Sequence, residues 1–184
     1  MAKEMEREIR YYINDDVIQN IKDNCLLETA EYQTIDIVLG YAGFDSLAQY
    51  GYIVRIRDKG SKIYMENKKL LDDKTWMENR IDLPDIKTGT NFLMNMGYKP
   101  YLVINRKRSE YKYHNLKLFI DKIDLLGTFV EIEYQDSTID ELDNVIKLLN
   151  IKGTKQPLYG DIFKEKMKDS AFAKLFNQEL EKYL

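Results

Sequence analysis

Cysteine and histidine each occur once in these 184 residues, as Cys25 and His114, and proline occurs three times. A single cysteine excludes an intrachain disulfide and any cysteine-built zinc site, and it points to a reducing compartment, here the cytoplasm. Cys25 itself reads as a small buried apolar residue. A single histidine excludes a two-histidine metal motif and leaves a Ser-His-Asp arrangement without support. Beside Tyr113 and Asn115, His114 reads as a surface or loop residue. With 3 Pro, 9 Gly and no serine-rich or single-residue tract, the composition excludes collagen-like structure, long linkers and extended disorder. Nowhere is there an apolar run of about eighteen residues. Charged positions from Lys3 to Asp16 leave no stretch for a signal peptide. An excess of one charge is missing too: 28 Lys plus Arg stand against 31 Asp plus Glu, a formal net charge of -3. That balance argues against nucleic acid and against an anionic membrane as partners.

What remains is a chain 44% hydrophobic and 32% charged, long enough to bury a core and short enough for one domain over 1–184. Several segments alternate with a period of two, the pattern of a strand with two unlike faces. In the first, Glu4, Glu6, Glu8 and Arg10 point one way and Met5, Ile9, Tyr11 and Ile13 the other. Gln33–Leu39 sets Ile35, Ile37 and Leu39 against Thr34, Asp36 and Val38, and Tyr52–Arg57 puts Arg55 and Arg57 opposite Val54 and Ile56. Lys62–Lys68 aligns Lys62, Glu66 and Lys68 against Ile63 and Met65, and Trp76–Asp82 aligns Glu78, Arg80 and Asp82. Tyr101–Arg108 carries Arg106 and Arg108 on one face, Leu116–Asp121 carries Lys117 and Asp121, and Thr128–Tyr134 carries Glu131 and Glu133 opposite Val130 and Ile132. These are eight expected strands, within about 4–134.

Helical spacing appears over Asp15–Cys25, briefly near Asp45–Tyr50, over Ile86–Met96 ending at Gly97, over Ile139–Leu149, and in a tail from Tyr159 to Leu184. Thr138 followed by Glu141 fits a capping box that opens the fourth helix. Consecutive strands lack the regular crossover helices of a parallel sheet, so an α+β chain with a mainly antiparallel sheet is expected. The helical tail, 138–184, is expected to pack over the apolar outer face of the strands, with a dimer contact as the alternative.

One-sided charge has two explanations. The first is an antiparallel sheet whose polar face is simply wet. The second is a closed eight-stranded barrel whose interior carries the charges, with helices outside. Arg pairs at spacing two in Arg55/Arg57 and Arg106/Arg108, and Glu pairs at spacing two in Glu6/Glu8 and Glu131/Glu133, favour the barrel. Rows of like charge on one face repel unless a group of opposite sign neutralises them. A metal-bound polyphosphate would supply both signs.

The residues resemble the CYTH superfamily, the triphosphate tunnel metalloenzymes. Glu6-Arg7-Glu8-Ile9-Arg10 is similar to its amino-terminal E-x-E-x-K, with arginine in place of lysine. Ile53-Val54-Arg55-Ile56-Arg57 resembles the L-R-I-R strand, and Tyr64-Met65-Glu66-Asn67-Lys68 the strand ending in a tunnel lysine. Met96-Gly97-Tyr98 resembles the L-G-[FY] turn, and Arg106-Lys107-Arg108 with Tyr111 resembles K-x-R-x-x-Y. Ile120-Asp121 with Leu126 to Glu133 resembles the segment ending L-G-x-F-V-E-I-E. Glu78-Asn79-Arg80-Ile81-Asp82 departs from the family's R-x-E-x-E strand, and either Arg80 with Asp82 or Glu78 with Arg80 could fill its roles.

The resemblance implies an enzyme that processes a small-molecule triphosphate with Mg2+ or Mn2+. Arg55, Arg57, Lys68, Arg80, Arg106 and Arg108 would bind the triphosphate, guanidinium forks matching phosphate oxygens. Glu6, Glu8, Asp121, Glu131 and Glu133 would supply oxygen ligands to the metal, and Glu6, Glu8 and Arg10 would serve catalysis. Hydrolysis of an inorganic or organic triphosphate is the first expectation, class IV adenylyl cyclase the second, and a non-catalytic polyphosphate binder the third. The expected assembly is a monomer or homodimer.

Overall fold

Alternation in the sequence becomes strand at each expected place. The computed structural model describes residues 7–70, 76–135 and 138–183. Along the chain run β1 (Arg7–Tyr12), α1 (Asp15–Asn24), β2 (Leu26–Gly40), a short 3-10 turn (Gly43–Asp45), α2 (Ser46–Tyr50), β3 (Tyr52–Asp58), β4 (Ile63–Leu70) and β5 (Trp76–Leu83). There follow α3 (Ile86–Asn95), β6 (Lys99–Tyr113), β7 (Leu116–Ile123), β8 (Gly127–Tyr134), α4 (Ile139–Leu148), α5 (Tyr159–Lys166) and α6 (Ser170–Glu181). The class is α+β, with the eight strands antiparallel in one sheet in the order β1-β8-β7-β6-β2-β3-β4-β5.

That order has two ends, so the expected closure of the sheet into a barrel is not made by hydrogen bonds among the described residues. A physical reason lies on β1: one edge pairs with β8, and Arg10 also forms an isolated bridge with Gln156, whose N–H donates to the Arg10 carbonyl at 2.8 Å. The segment around Gln156 therefore covers an edge that closure would use.

The chain divides into two compact units. The first comprises 1–32 and 106–157. Here α1 and α4 cover the apolar face of β1, β8, β7 and the second half of β6, and Val17, Ile21, Leu142, Val145 and Leu149 pack with Ile9, Leu118, Ile120, Val130 and Ile132. Asn14 starts α1 by accepting the Val17 N–H at 3.1 Å, and Asp15 and Asp16 favour the positive helix end. Cys25, expected to be buried, is half-buried at the α1 C-cap, because the helix ends there. Burial still pushes its thiol up to about 11. His114 is exposed in the β6–β7 turn with φ 51°, as a loop residue should be.

The expected capping box at α4 is absent. The Thr138 hydroxyl accepts the Gln135 N–H at 2.9 Å and donates to the Gln135 carbonyl, while Glu141 accepts from the Asn115 backbone and side-chain amides. Both partners of the box are thus taken by the chain that precedes the helix and by the β6–β7 turn.

The second unit comprises 33–105 and 158–184. Val54 and Ile56 of β3, Ile37 and Leu39 of β2 and Leu93 of α3 are buried. Gly89 is what lets α3 lie close: a Cβ there would meet Leu83 Cδ1 at 2.5 Å and Ile56 Cδ1 at 3.0 Å. The expected helical tail from Tyr159 holds two helices, because the Asp169 side chain accepts from the Ala171 and Phe172 N–H groups and so starts α6 anew. Phe163 of α5 packs on Phe172 and Phe176 of α6 at centroid separations of 6.0 and 5.4 Å. Among the described residues no helix is long and apolar enough to cross a membrane.

Candidate functional site

Each unit carries one cluster of buried charge on the sheet face that the alternation marks out. In the second unit the register aligns Asp36 with Arg57, Arg57 with Tyr64, Arg55 with Glu66, and Glu66 with Arg80 across β2, β3, β4 and β5. Arg57 grips Asp36 with both Nε and Nη2, the latter at 2.5 Å. Glu66 is fully buried and accepts from Arg55 Nη2 at 2.5 Å and from Arg80 Nε at 2.6 Å. Lys68 Nζ lies 2.5 Å from Glu78 and 3.9 Å from Glu66. The Arg80 guanidinium sits 5.2 Å from the centre of the Tyr64 ring. Burial works to raise the Glu66 carboxyl, but Arg55, Lys68 and Arg80 outweigh it and hold the group below the usual carboxylate range.

In the first unit Asp121 is 0% exposed and Glu131 5%. Arg108 donates to both Asp121 oxygens at 2.6 Å and to Glu131 at 3.0 Å, while its guanidinium lies 4.3 Å from the Phe119 ring centre. Arg10 Nε donates to Glu131 at 2.7 Å, its Nη2 lies 2.5 Å from Glu8, and Arg106 Nη1 is 3.5 Å from Asp121. Burial opposes ionisation of Glu131, yet Arg108 and Arg10 keep its carboxyl below its ordinary value. Glu8 and Glu133 stand directly opposite each other on β1 and β8, and Lys117 is 3.8 Å from Glu133.

The structure therefore gathers Arg55, Arg57, Lys68 and Arg80 in one cluster, and Glu8, Arg10, Arg106, Arg108, Asp121 and Glu131 in the other, with Glu133 on the same face. Lys107 points away from both neighbours and is exposed. Glu6 lies outside the described residues. In the β5 strand, Glu78 and Arg80 join the cluster, whereas the exposed Asp82 pairs with Lys62 at 3.1 Å.

Sequence reasoning left out Asp36 and Glu66 as site residues, although both lie on the charged face by parity. It also left out the Tyr32–Glu110 hydrogen bond, in which the Tyr32 hydroxyl donates and is itself pushed up by burial and by Glu110. A lone acid in a strand carries no repeat to flag it, and only the register shows that Asp36 faces Arg57.

No group of three or more His, Cys, Asp or Glu side chains among the described residues is arranged to hold a metal ion unaided. The donor chemistry nevertheless suits a hard divalent cation. Glu8, with its side chain 42% exposed, and Glu133, 27% exposed, are oxygen donors directly opposite each other on adjacent strands, with Arg10 at 2.5 Å from the first and Lys117 at 3.8 Å from the second.

The family model described as "CYTH domain" matches residues 4–159. A Methanocaldococcus jannaschii protein, provisionally named an adenylate cyclase, is 29% identical over 97 residues. That match covers 51% of this chain and 55% of the relative, so the chain spans about half the relative's length. Among solved structures, a conserved Pyrococcus furiosus protein without an assigned activity aligns with a TM-score of 0.70 at 21% identity, covering 85% of this chain and 98% of that one. A Hippeastrum protein provisionally called an adenylyl cyclase, and described as having a dominant triphosphatase activity, aligns with a TM-score of 0.59 at 19% identity, covering 81% and 89%. At these identities the structural likenesses establish the fold alone.

Proposed function

The chain belongs to the CYTH domain family, and from that premise we propose that it is a divalent-metal-dependent enzyme that hydrolyses a small-molecule triphosphate. One observation carries the reading: Arg55, Arg57, Lys68 and Arg80 converge on a single sheet face, held there by buried Asp36 and Glu66. Guanidinium forks and an ammonium fixed in this way are an anion-binding surface whose donors are already oriented. The relative described as a dominant triphosphatase supports hydrolysis.

In this proposal Arg106 and Arg108 are further phosphate-binding cations. Glu8 and Glu133, with Glu6, would hold Mg2+ or Mn2+, completing its shell with phosphate oxygens and water. When bound, the ion supplies charge neutralisation at the phosphoryl oxygens and lowers the pKa of a bound water. Arg10 orients Glu8 and Glu131 through its 2.5 and 2.7 Å contacts, so the carboxylate that accepts a proton is held at a fixed angle. The opposed pair Glu8 and Glu133 speaks against a purely non-catalytic anion binder, since carboxylates weaken anion binding. The cytoplasm as location and a monomer or homodimer as assembly belong to the same proposal.

Cyclisation of ATP to cyclic AMP and pyrophosphate is the second reading, favoured by the provisional name of the Methanocaldococcus jannaschii relative. The test is a panel of tripolyphosphate, thiamine triphosphate and nucleoside triphosphates with Mg2+ or Mn2+, with products identified. Turnover of at least one triphosphate that stops in chelator is expected, and no turnover on any member overturns the proposal.

A further inference from the structure

Resting on the function proposed above, we infer that Glu66 sets which charge state of a triphosphate the cationic cluster accepts, favouring the divalent-metal complex over the metal-free anion. Phosphate-binding surfaces gain nothing in affinity from a carboxylate, yet here one sits among the cations. Glu66 is central on β4, 0% exposed, and engages cations from both neighbouring strands and its own: Arg55 on β3, Arg80 on β5 and Lys68 two residues along. The side chains of those partners remain 19%, 54% and 27% exposed. Glu66 is thus the buried member of the group, and its three partners are the more exposed ones.

Two consequences follow from one group. The first is positional. Three cations converge within a few ångströms only if an opposite charge offsets their repulsion, so Glu66 fixes where Arg55, Lys68 and Arg80 stand. The second is arithmetic. Arg55, Arg57, Lys68 and Arg80 are four cations, and Asp36, Glu66 and Glu78 are three carboxylates, leaving one formal positive charge. A metal-free triphosphate brings about four negative charges near neutral pH. Binding a divalent ion reduces that to about two, closer to what the cluster can match. Because its carboxyl is held below the usual range, Glu66 stays ionised and the discount is permanent near neutrality.

The experiment measures binding of inorganic tripolyphosphate by calorimetry, once with excess Mg2+ and once in chelator, for the unmodified chain, Glu66→Gln and Glu78→Gln. The readout is the ratio of the two affinities. The unmodified chain is expected to prefer the Mg2+ form, and Glu66→Gln to lower the preference by at least about tenfold, the effect of one nearby unit charge. Glu78, whose side chain is 37% exposed at the cluster rim, can be neutralised without disturbing a buried pair, and Glu78→Gln should move the ratio the same way by about threefold. Should Glu66→Gln fail to fold, Glu78→Gln decides. Loss of affinity by the same factor in both media would mean Glu66 only anchors its partners, and it overturns the inference, as does an unchanged ratio in the folded variants. Absence of tripolyphosphate binding by the unmodified chain in Mg2+ overturns this inference, whereas the proposed function falls only if no triphosphate of the panel is turned over.

Discussion

Arg10 on β1 stands directly opposite Glu131 on β8 and donates to it through Nε at 2.7 Å, while two residues earlier Glu8 stands opposite Glu133. One pair of positions is an internally compensated ion pair, and the next is two acids face to face. In the proposed function the first pair holds the cluster together, and the second, flanked by Arg10 and Lys117, offers carboxylate oxygens to a metal ion.

Glu8→Gln and Glu133→Gln should therefore lower turnover by about two or more orders of magnitude while leaving the fold intact, since neither side chain is fully buried. Chelation should abolish activity in the unmodified chain. Circular dichroism checks the fold and a phosphate-release assay the rate, and full activity of both variants in chelator would remove the metal assignment.

Parity yields a matched comparison. Arg55→Ala should reduce kcat/KM on a triphosphate by at least about tenfold, whereas Lys107→Ala, which also deletes one positive charge, should change it less than about twofold. Arg55 points into the cluster and contacts Glu66, while Lys107 lies exposed on the opposite face of its strand. Equal effects would contradict the assignment of that face to substrate.

The same parity explains what was legible in the sequence. Alternation placed Arg55, Arg57, Arg106, Arg108 and Glu131 on the buried charged faces where the structure has them. It was silent on Leu26–Tyr32, the first part of β2, because residues 26–31 are exposed and so carry no alternation of burial. It missed Asp36 as a site residue, since a carboxylate between Ile35 and Ile37 acquires its role only from the Arg57 that the register puts beside it. The capping box failed for a related reason. A local motif reports which bonds are possible, and Asn115, distant in sequence, took Glu141 instead.

Arg108 is the structural keystone of the first unit, and Arg108→Ala should cost about 3–5 kcal/mol, because it leaves the fully buried Asp121 and the nearly buried Glu131 without their main partner. Removing Lys168 from its pair with Glu165, both side chains 71% exposed, should shift stability by less than about 1 kcal/mol. Urea denaturation of the two variants measures the contrast.

Acid should act through the same buried groups. Glu66 and Glu131 have carboxyl pKa values depressed in the folded chain, so each contributes stability that is complete above the unfolded value of about 4.3 and is lost as pH falls through the lower folded value. Stability should thus be flat from about pH 7 to 5 with respect to these groups and fall steeply below about pH 4. Replacing Glu66 by Gln should flatten part of that acid limb, which denaturation midpoints across the pH range would reveal.

The reaction itself is decided by which phosphorus is attacked. Hydrolysis needs water in line with a terminal phosphorus, whereas cyclisation needs the ribose hydroxyl of ATP in line with the α-phosphorus, so a site that orients one attack is misplaced for the other. The described residues bring together abundant cations and carboxylates for phosphate and metal, with Tyr64 beneath Arg80, while Tyr41, Tyr50, Tyr52 and Tyr98 pack on one another. Recognition centred on phosphate, with no group assigned to a base, favours tripolyphosphate or another triphosphate as a hydrolysed substrate over ATP as a cyclised one. Incubation with each in Mg2+ or Mn2+, followed by phosphorus NMR, should show orthophosphate released from tripolyphosphate faster than cyclic AMP forms from ATP. Efficient production of cyclic AMP and pyrophosphate, with little orthophosphate from tripolyphosphate, would reverse the order and establish the cyclase.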